Sequence, residues 1–337
     1  MNKERSKAIL TLLVTIMSMS FGTILMKMAL FEIKPLTLTW LTVAIGMVVM
    51  GIYTFIIRKE RIPSGLGRQV WFYIIAIGIG NFVLSRISRP FALERLPATT
   101  TTFLSNFIGF VTMGMSIFIL RESPTLFQLL GALTAVSGLA IFFEQIPTEY
   151  ELVGVLLVFV GLVSVAYTNN IARKLAIVTA FKLSNNIIST VALMIGGTVT
   201  VAIGLIFDWP PQVHGWVNWA IIFYVGIVMI GVGLTVWNYN LRVLRSYEAS
   251  ILGASSVIWT AILAVFILGE TLSVNQIMGM ALMIIGLILV QIRRGHITRH
   301  NVQAWLRFQK AQPIPAAEKL PIAAKAPILP QGEEKQS

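Results

Sequence analysis

The residues best suited to chemistry lie in one short stretch, "NFVLSRISRP" at positions 81–90. Asn81, Ser85 and Arg89 recur at i, i+4 and i+8, which places them on one face of a helix with Arg86 beside them. The residues just upstream, "VWFYIIAIGIG", are apolar enough for hydrocarbon, where a guanidinium costs at least about 2.5 kcal/mol. Two readings stand open. Arg86 and Arg89 either snorkel to the interface or pair with Glu94 or Glu32, or they line an internal cavity and attract an anionic group. Other chemistry has little to work with. The chain has no cysteine, so thiolate nucleophiles and Cys-bound metal are excluded. His214, His296 and His300 fall outside the apolar segments, and no paired acids suit metal binding or acid–base catalysis. An enzyme is not expected, nor a cofactor, nor a metal.

The elements that position these residues belong to a membrane protein. Of 337 residues, 56% are hydrophobic and 12% charged, about half the charged fraction of a soluble domain. The net charge of +12 does not point to nucleic acid, because the cations punctuate apolar runs and do not gather on one domain. The start, "MNKERSKAILTLL", is basic, but its apolar run is too long for a signal peptide, and it reads as a first membrane helix. A spanning helix needs about 20 mostly apolar residues. Ten segments fit, near 8–31, 36–57, 70–94, 98–120, 125–143, 152–172, 183–207, 217–244, 247–268 and 274–292. The expected fold is therefore an all-α integral membrane protein with ten transmembrane helices. Lys and Arg crowd the loops that would be cytoplasmic with the N-terminus inside, and none lies between spans five and six, seven and eight, or nine and ten. That bias predicts both termini in the cytoplasm. Residues 293–337 carry eight cations and five prolines and read as a basic, largely disordered cytoplasmic tail, either solvated or with a short basic helix attracted to anionic membrane lipid.

Sliding the chain by 148 residues lays "FILRE" (118–122) on "FILGE" (266–270). In the same frame, without a gap, Trp71 meets Trp219, Gly78 meets Gly226 and Thr112 meets Thr260. Glu122 meets Glu270, Gln128 meets Gln276, Gly131 meets Gly279 and Gly138 meets Gly286. A five-helix unit is duplicated: residues 1–147 form the first copy and 148–292 the second. Five is odd, so the second copy enters the membrane from the opposite side, giving two inverted five-helix repeats and a site at their interface. Glu122 and Glu270 each end a span before a new helix, and are expected to tie that turn by accepting backbone N–H bonds at the next helix start.

With its two five-helix halves and its "FIL-x-E" turns, the chain resembles the EamA family of the drug/metabolite transporter superfamily. "SFGTILMKMAL" (20–30) is similar to the family's first-helix pattern of a Gly followed by a Lys, here Lys27. "FALERLPATTTTFLS" and "YNLRVLRSYEASILG" resemble its aromatic-x-Leu stretch leading into a small-residue helix. Two features depart from the family. No Arg follows Pro35 in the second helix, and neither Gly109 nor Val257 is the Pro often found midway along the fourth and ninth helices. The resemblance implies an exporter or importer of small metabolites.

On this reading Asn81, Ser85, Arg86 and Arg89 form the polar wall of a substrate cavity. Lys27, Asn106 with its neighbour Ser105, Trp237 and Asn238 on span eight, and Ser255, Ser256 and Trp259 on span nine are further candidates. For each a structural alternative is open: Lys27 snorkelling, Trp237 anchoring at the interface, the serines allowing close helix packing. The expected function is a secondary transporter, or permease, of small metabolites, anionic or zwitterionic such as amino acids, working by alternating access. The alternative is a lipid or lipid-carrier flippase of the same fold. The expected location is a bacterial inner (plasma) membrane, and a homodimer is left open.

Overall fold

The structure, a computed structural model, describes residues 3–119, 125–143, 147–179, 183–236 and 252–290. These form ten helical segments. In chain order they are α1 (Lys3–Ala29), α2 (Pro35–Ile57), α3 (Arg68–Arg95), α4 (Ala98–Ile119), α5 (Leu126–Phe142), α6 (Glu149–Val178), α7 (Asn185–Phe207), α8 (Gly215–Val236), α9 (Leu252–Leu268) and α10 (Val274–Val290). Seven of them, α1 to α4 and α6 to α8, are long and apolar enough to cross a membrane. The other three are shorter apolar helices, where the sequence predicts full spans. The reason is length: α5 and α10 have 17 residues each, against about 20 for a straight crossing. The apolar runs that would extend α9 toward 247 and α10 toward 292 continue outside the described residues.

Local sequence explains the helix ends. Pro35 opens α2, where its missing N–H costs nothing. Capping boxes start α5 (Thr125, Gln128) and α6 (Thr148, Glu151). Ser273 and Gln276 exchange the same pair of bonds at the start of α10, at 3.1 Å each. Thr125 and Gln128 lie 148 positions before Ser273 and Gln276, so the repeated glutamine serves the same cap in both halves.

Irregularities repeat as well. A widened π-helical turn occupies Ile79–Leu84 in α3 and another occupies Val225–Val232 in α8, and shifted by 148 the first falls inside the second. The helix of α4 is interrupted at Asn106 and Phe107, and that of α9 at Ser255. These breaks coincide in the repeat frame although neither is a proline. Asn106 donates back to Thr102 O at 2.9 Å and across to Ser256 Oγ at 3.2 Å, so the two interrupted helices meet at their breaks.

The halves pack by exchange. An ideal Cβ on Gly131 would lie 2.5 Å from Gly286 O, and one on Gly138 2.7 Å from Gly279 O. Numbers rise along α5 while they fall along α10, so these equivalent helices run antiparallel at backbone contact. The pair α2 and α7 is held the same way at both ends. Asp208, just past α7, accepts from Thr37 Oγ1 at 2.5 Å and Trp40 Nε1 at 3.0 Å. Glu60, just past α2, accepts from Asn186 Nδ2 at 2.9 Å. Glu60 and Asp208 are 148 residues apart. Between these clamps, Val43, Met50, Ile74, Ile187 and Leu193 share one buried cluster. It packs α3 onto α7 and holds the polar stretch of α3 toward the interior.

Candidate functional site

A cavity of about 530 Å³ lies against α3 and is closed by helices of both halves: α3 and α4 from the first, α6, α7 and α8 from the second. Asn81, Ser85, Arg86 and Arg89 all line it. The widened turn at Ile79–Leu84 sits within this stretch, and such turns inside α-helices recur at functional sites. The Phe82 carbonyl of that turn accepts from Thr200 Oγ1 of α7 at 2.5 Å, which anchors it to the second half.

The cavity runs lengthwise. Its α3 wall extends from Ile77 to Arg89, about 18 Å of helix. On α6 it reaches from Val158 to Ala172, and it includes Asn185 and Ser189 in the first turns of α7. It therefore extends to the end of the bundle where α6 and α7 are joined. At the other end it stops at Thr101, in the first turn of α4. Thr100, on the far side of that turn, lines a second cavity of about 500 Å³ together with Phe143, Thr148 and Gln276.

The electrostatics of the main cavity are one-sided. Arg86 and Arg89 are its charged lining residues, and both are half-buried. Arg89 Nη2 donates to Thr23 Oγ1 at 3.0 Å, while its Nε is buried with no partner. Arg86 makes no hydrogen bond or ion pair with a described residue. The carboxylates proposed as structural partners are engaged elsewhere. Glu94 pairs with Arg95 at 2.7 Å, and Glu32 accepts from Asn218 Nδ2 at 2.6 Å. Around the arginines stand neutral polar groups: Thr168 donates to Asn81 Oδ1 at 2.9 Å, and Ser105, Thr101 and Asn169 also line the cavity. No group of three or more His, Asp or Glu side chains is assembled for a metal among the described residues.

Other sequence candidates stand elsewhere. Lys27 is not on the cavity wall. Its Nζ donates to the carbonyls of Leu93 (2.7 Å), Glu94 (3.3 Å) and Leu96 (2.9 Å), the unsatisfied acceptors at the end of α3. Glu270 accepts from backbone N–H groups as expected, but those of Ala98 (2.6 Å) and Thr99 (3.2 Å) at the start of α4. The helix after Glu270 is capped by Ser273 instead. Lys27 and Glu270 thus hold both sides of the α3–α4 turn, beyond the end of the cavity marked by Thr101. Asn106 and Ser256 bond to each other, Ser255 Oγ donates to Leu252 O at 2.6 Å, and Trp259 packs with Leu12 and Ile16 of α1. Trp237, Asn238 and Glu122 lie outside the described residues. Sequence reasoning missed Thr101 as a wall residue, for which the run "TTTT" was the available signal. Thr168, Asn169 and Asn185, also on the wall, come from the runs "YTNN" and "SNN", whose sequence admits either helix-end capping or the lining of an inner gate.

The sequence pattern of the EamA-like transporter family matches residues 6–144 and again 152–292. The chain belongs to the EamA-like transporter family. Membership makes it a membrane transporter of the drug/metabolite type, built as a tandem repeat, in a family whose members are generally not enzymes. A solved structure described only as "Crystal structure of protein" is similar in fold, with a TM-score of 0.61 and 17% identity over 87% of this chain and 98% of that one. No curated protein matches the chain.

Proposed function

We propose that this protein is a secondary transporter that moves small anionic or zwitterionic metabolites across a bacterial inner membrane. It does so by alternating access between two inverted five-helix halves, with ten spans and both termini in the cytoplasm. The antiparallel packing of α5 on α10 supports the inversion, because equivalent helices that run oppositely are related by a two-fold perpendicular to them. On this orientation the cavity reaches the cytoplasmic end and is sealed outside by the α3–α4 turn. The observation that carries the reading is Arg86, a guanidinium on the wall of an inter-half cavity with no acid beside it among the described residues.

The test is Arg86→Gln in cells with and without the gene, comparing metabolites inside and in the medium. A charge-assisted hydrogen bond contributes about 1.5–3 kcal/mol, so transport should fall about 10- to 100-fold at limiting substrate, with membrane protein level and size-exclusion profile unchanged. Unaltered transport would return Arg86 to a structural role.

A further inference from the structure

We infer that the cavity takes anions carrying two negative charges, such as a dicarboxylate or a phosphate ester, and that the protein works only as an exchanger of such anions. This rests on the transport function proposed above and narrows it.

Four charged side chains at helix ends have partners. Lys27 holds three carbonyls, Glu270 holds two backbone amides, Arg95 holds Glu94 and Asp208 holds Thr37 and Trp40. Arg86 and Arg89 differ. They are three residues apart on one helix, share one cavity, and have only the Thr23 hydroxyl between them as a partner. Cations drawn partly out of water are more stable when paired, and with no carboxylate beside these among the described residues, a ligand can take that place. A dicarboxylate or phosphate ester neutralises both and offers planar or tetrahedral oxygens to the guanidinium forks. A zwitterion does not fit as well. Its ammonium finds no carboxylate among the described wall residues, whose remaining polar groups are amides and hydroxyls, and it leaves both positive charges in place. The cavity volume of about 530 Å³ suits a small metabolite.

Exchange follows from the same charge count. To turn over, the cavity must be closed to water on both sides at some moment. With a dianion inside, that closure encloses a neutral set. Empty, it encloses two bare guanidinium groups. Among the described residues the wall has no Asp, Glu or His that a proton could switch to compensate them. The empty carrier therefore returns slowly, and a second anion must carry it back.

The experiment uses the purified full-length chain in lipid vesicles in chloride-free zwitterionic buffer, with labelled succinate, glycerol 3-phosphate and alanine. The expected result is uptake of a dianion into vesicles preloaded with it, at least about a hundredfold faster than into vesicles holding buffer alone, the factor set by one uncompensated charge in hydrocarbon. Arg86→Gln and Arg89→Gln should each lower it about 10- to 100-fold, while Arg86→Lys retains more. Which dianion moves separates carboxylate from phosphate chemistry. Equal uptake into loaded and unloaded vesicles overturns obligatory exchange. Alanine moving as fast as the dianions overturns the charge class and leaves the transport function standing. Vesicles that move none of the three, with the protein folded and inserted, overturn this inference. If metabolite levels in cells are also indifferent to the gene, the transport function falls with it.

Discussion

Replacing Gly138 with alanine should destabilise the protein, whereas the same change at Gly114 should not. A Cβ on Gly138 would stand 2.7 Å from Gly279 O, 3.0 Å from Leu282 Cβ and 3.1 Å from Met283 N, against ordinary contact from 3.4 Å. The obstacles are mostly backbone, so α5 and α10 must part by about 0.7 Å, the difference between 3.4 and 2.7 Å. Overpacking of that kind costs about 1–3 kcal/mol, offset by up to about 1 kcal/mol from alanine's better helix propensity. Nothing lies within 4 Å of a Cβ on Gly114, so there only the favourable contribution of about 0.4–1 kcal/mol remains. The two-fold packing adds a stricter requirement. Gly131 and Gly286 each face the other's carbonyl at 2.5 Å and a backbone N at 2.9 Å, so their alanine variants should agree within about 0.5 kcal/mol. Equilibrium unfolding of the purified variants in one detergent measures all four. A Gly138→Ala protein as stable as the parent, or Gly131 and Gly286 variants that differ widely, would refute the backbone contact and the antiparallel repeat built on it.

Lys27→Met keeps the aliphatic stem but leaves the Leu93 and Leu96 carbonyls unsatisfied; it should cost about 1.5–3 kcal/mol of stability, while solute affinity of the folded protein, measured on the same samples, stays unchanged. Glu270→Gln should weaken the hold on the start of α4, seen as a loss of about tenfold in hydrogen-exchange protection at Ala98 and Thr99, which corresponds to about 1.4 kcal/mol; undiminished protection would remove Glu270 from the seal. Asp208→Ala and Glu60→Ala open opposite ends of the α2–α7 pair, so their unfolding energies should add within about 0.5 kcal/mol, with Asp208 the more costly because it accepts two donors against one.

The frame of 148 residues was legible because it rests on rare residue types repeated at one offset, and it anticipated more than it was asked to. The matched glutamines became matching caps, and the matched glycines became a reciprocal backbone contact. Glu60 and Asp208 were equally in frame, but they differ in type and lie in connections, so nothing in composition marked them as equivalent clamps. The direction of α3's polar stripe was likewise legible, since four polar residues at helical spacing cannot all face lipid. Lys27 was not. A lysine near a helix end carries the same local signature whether it snorkels, binds solute or caps a neighbour, and only the position of Leu93 and Leu96 selects the last.

The sequence by itself determined that this chain lives in a bilayer, that its unit is duplicated, and which helix carries the charged face. Those follow from run length, periodicity and offset, all properties of neighbours along the chain. Tertiary structure alone decided which charges are spent and which are spare. A charge is satisfied by whatever group lies within about 3 Å in space, and for Lys27, Glu270 and Asp208 that group sits on a distant helix, while for Arg86 there is none among the described residues.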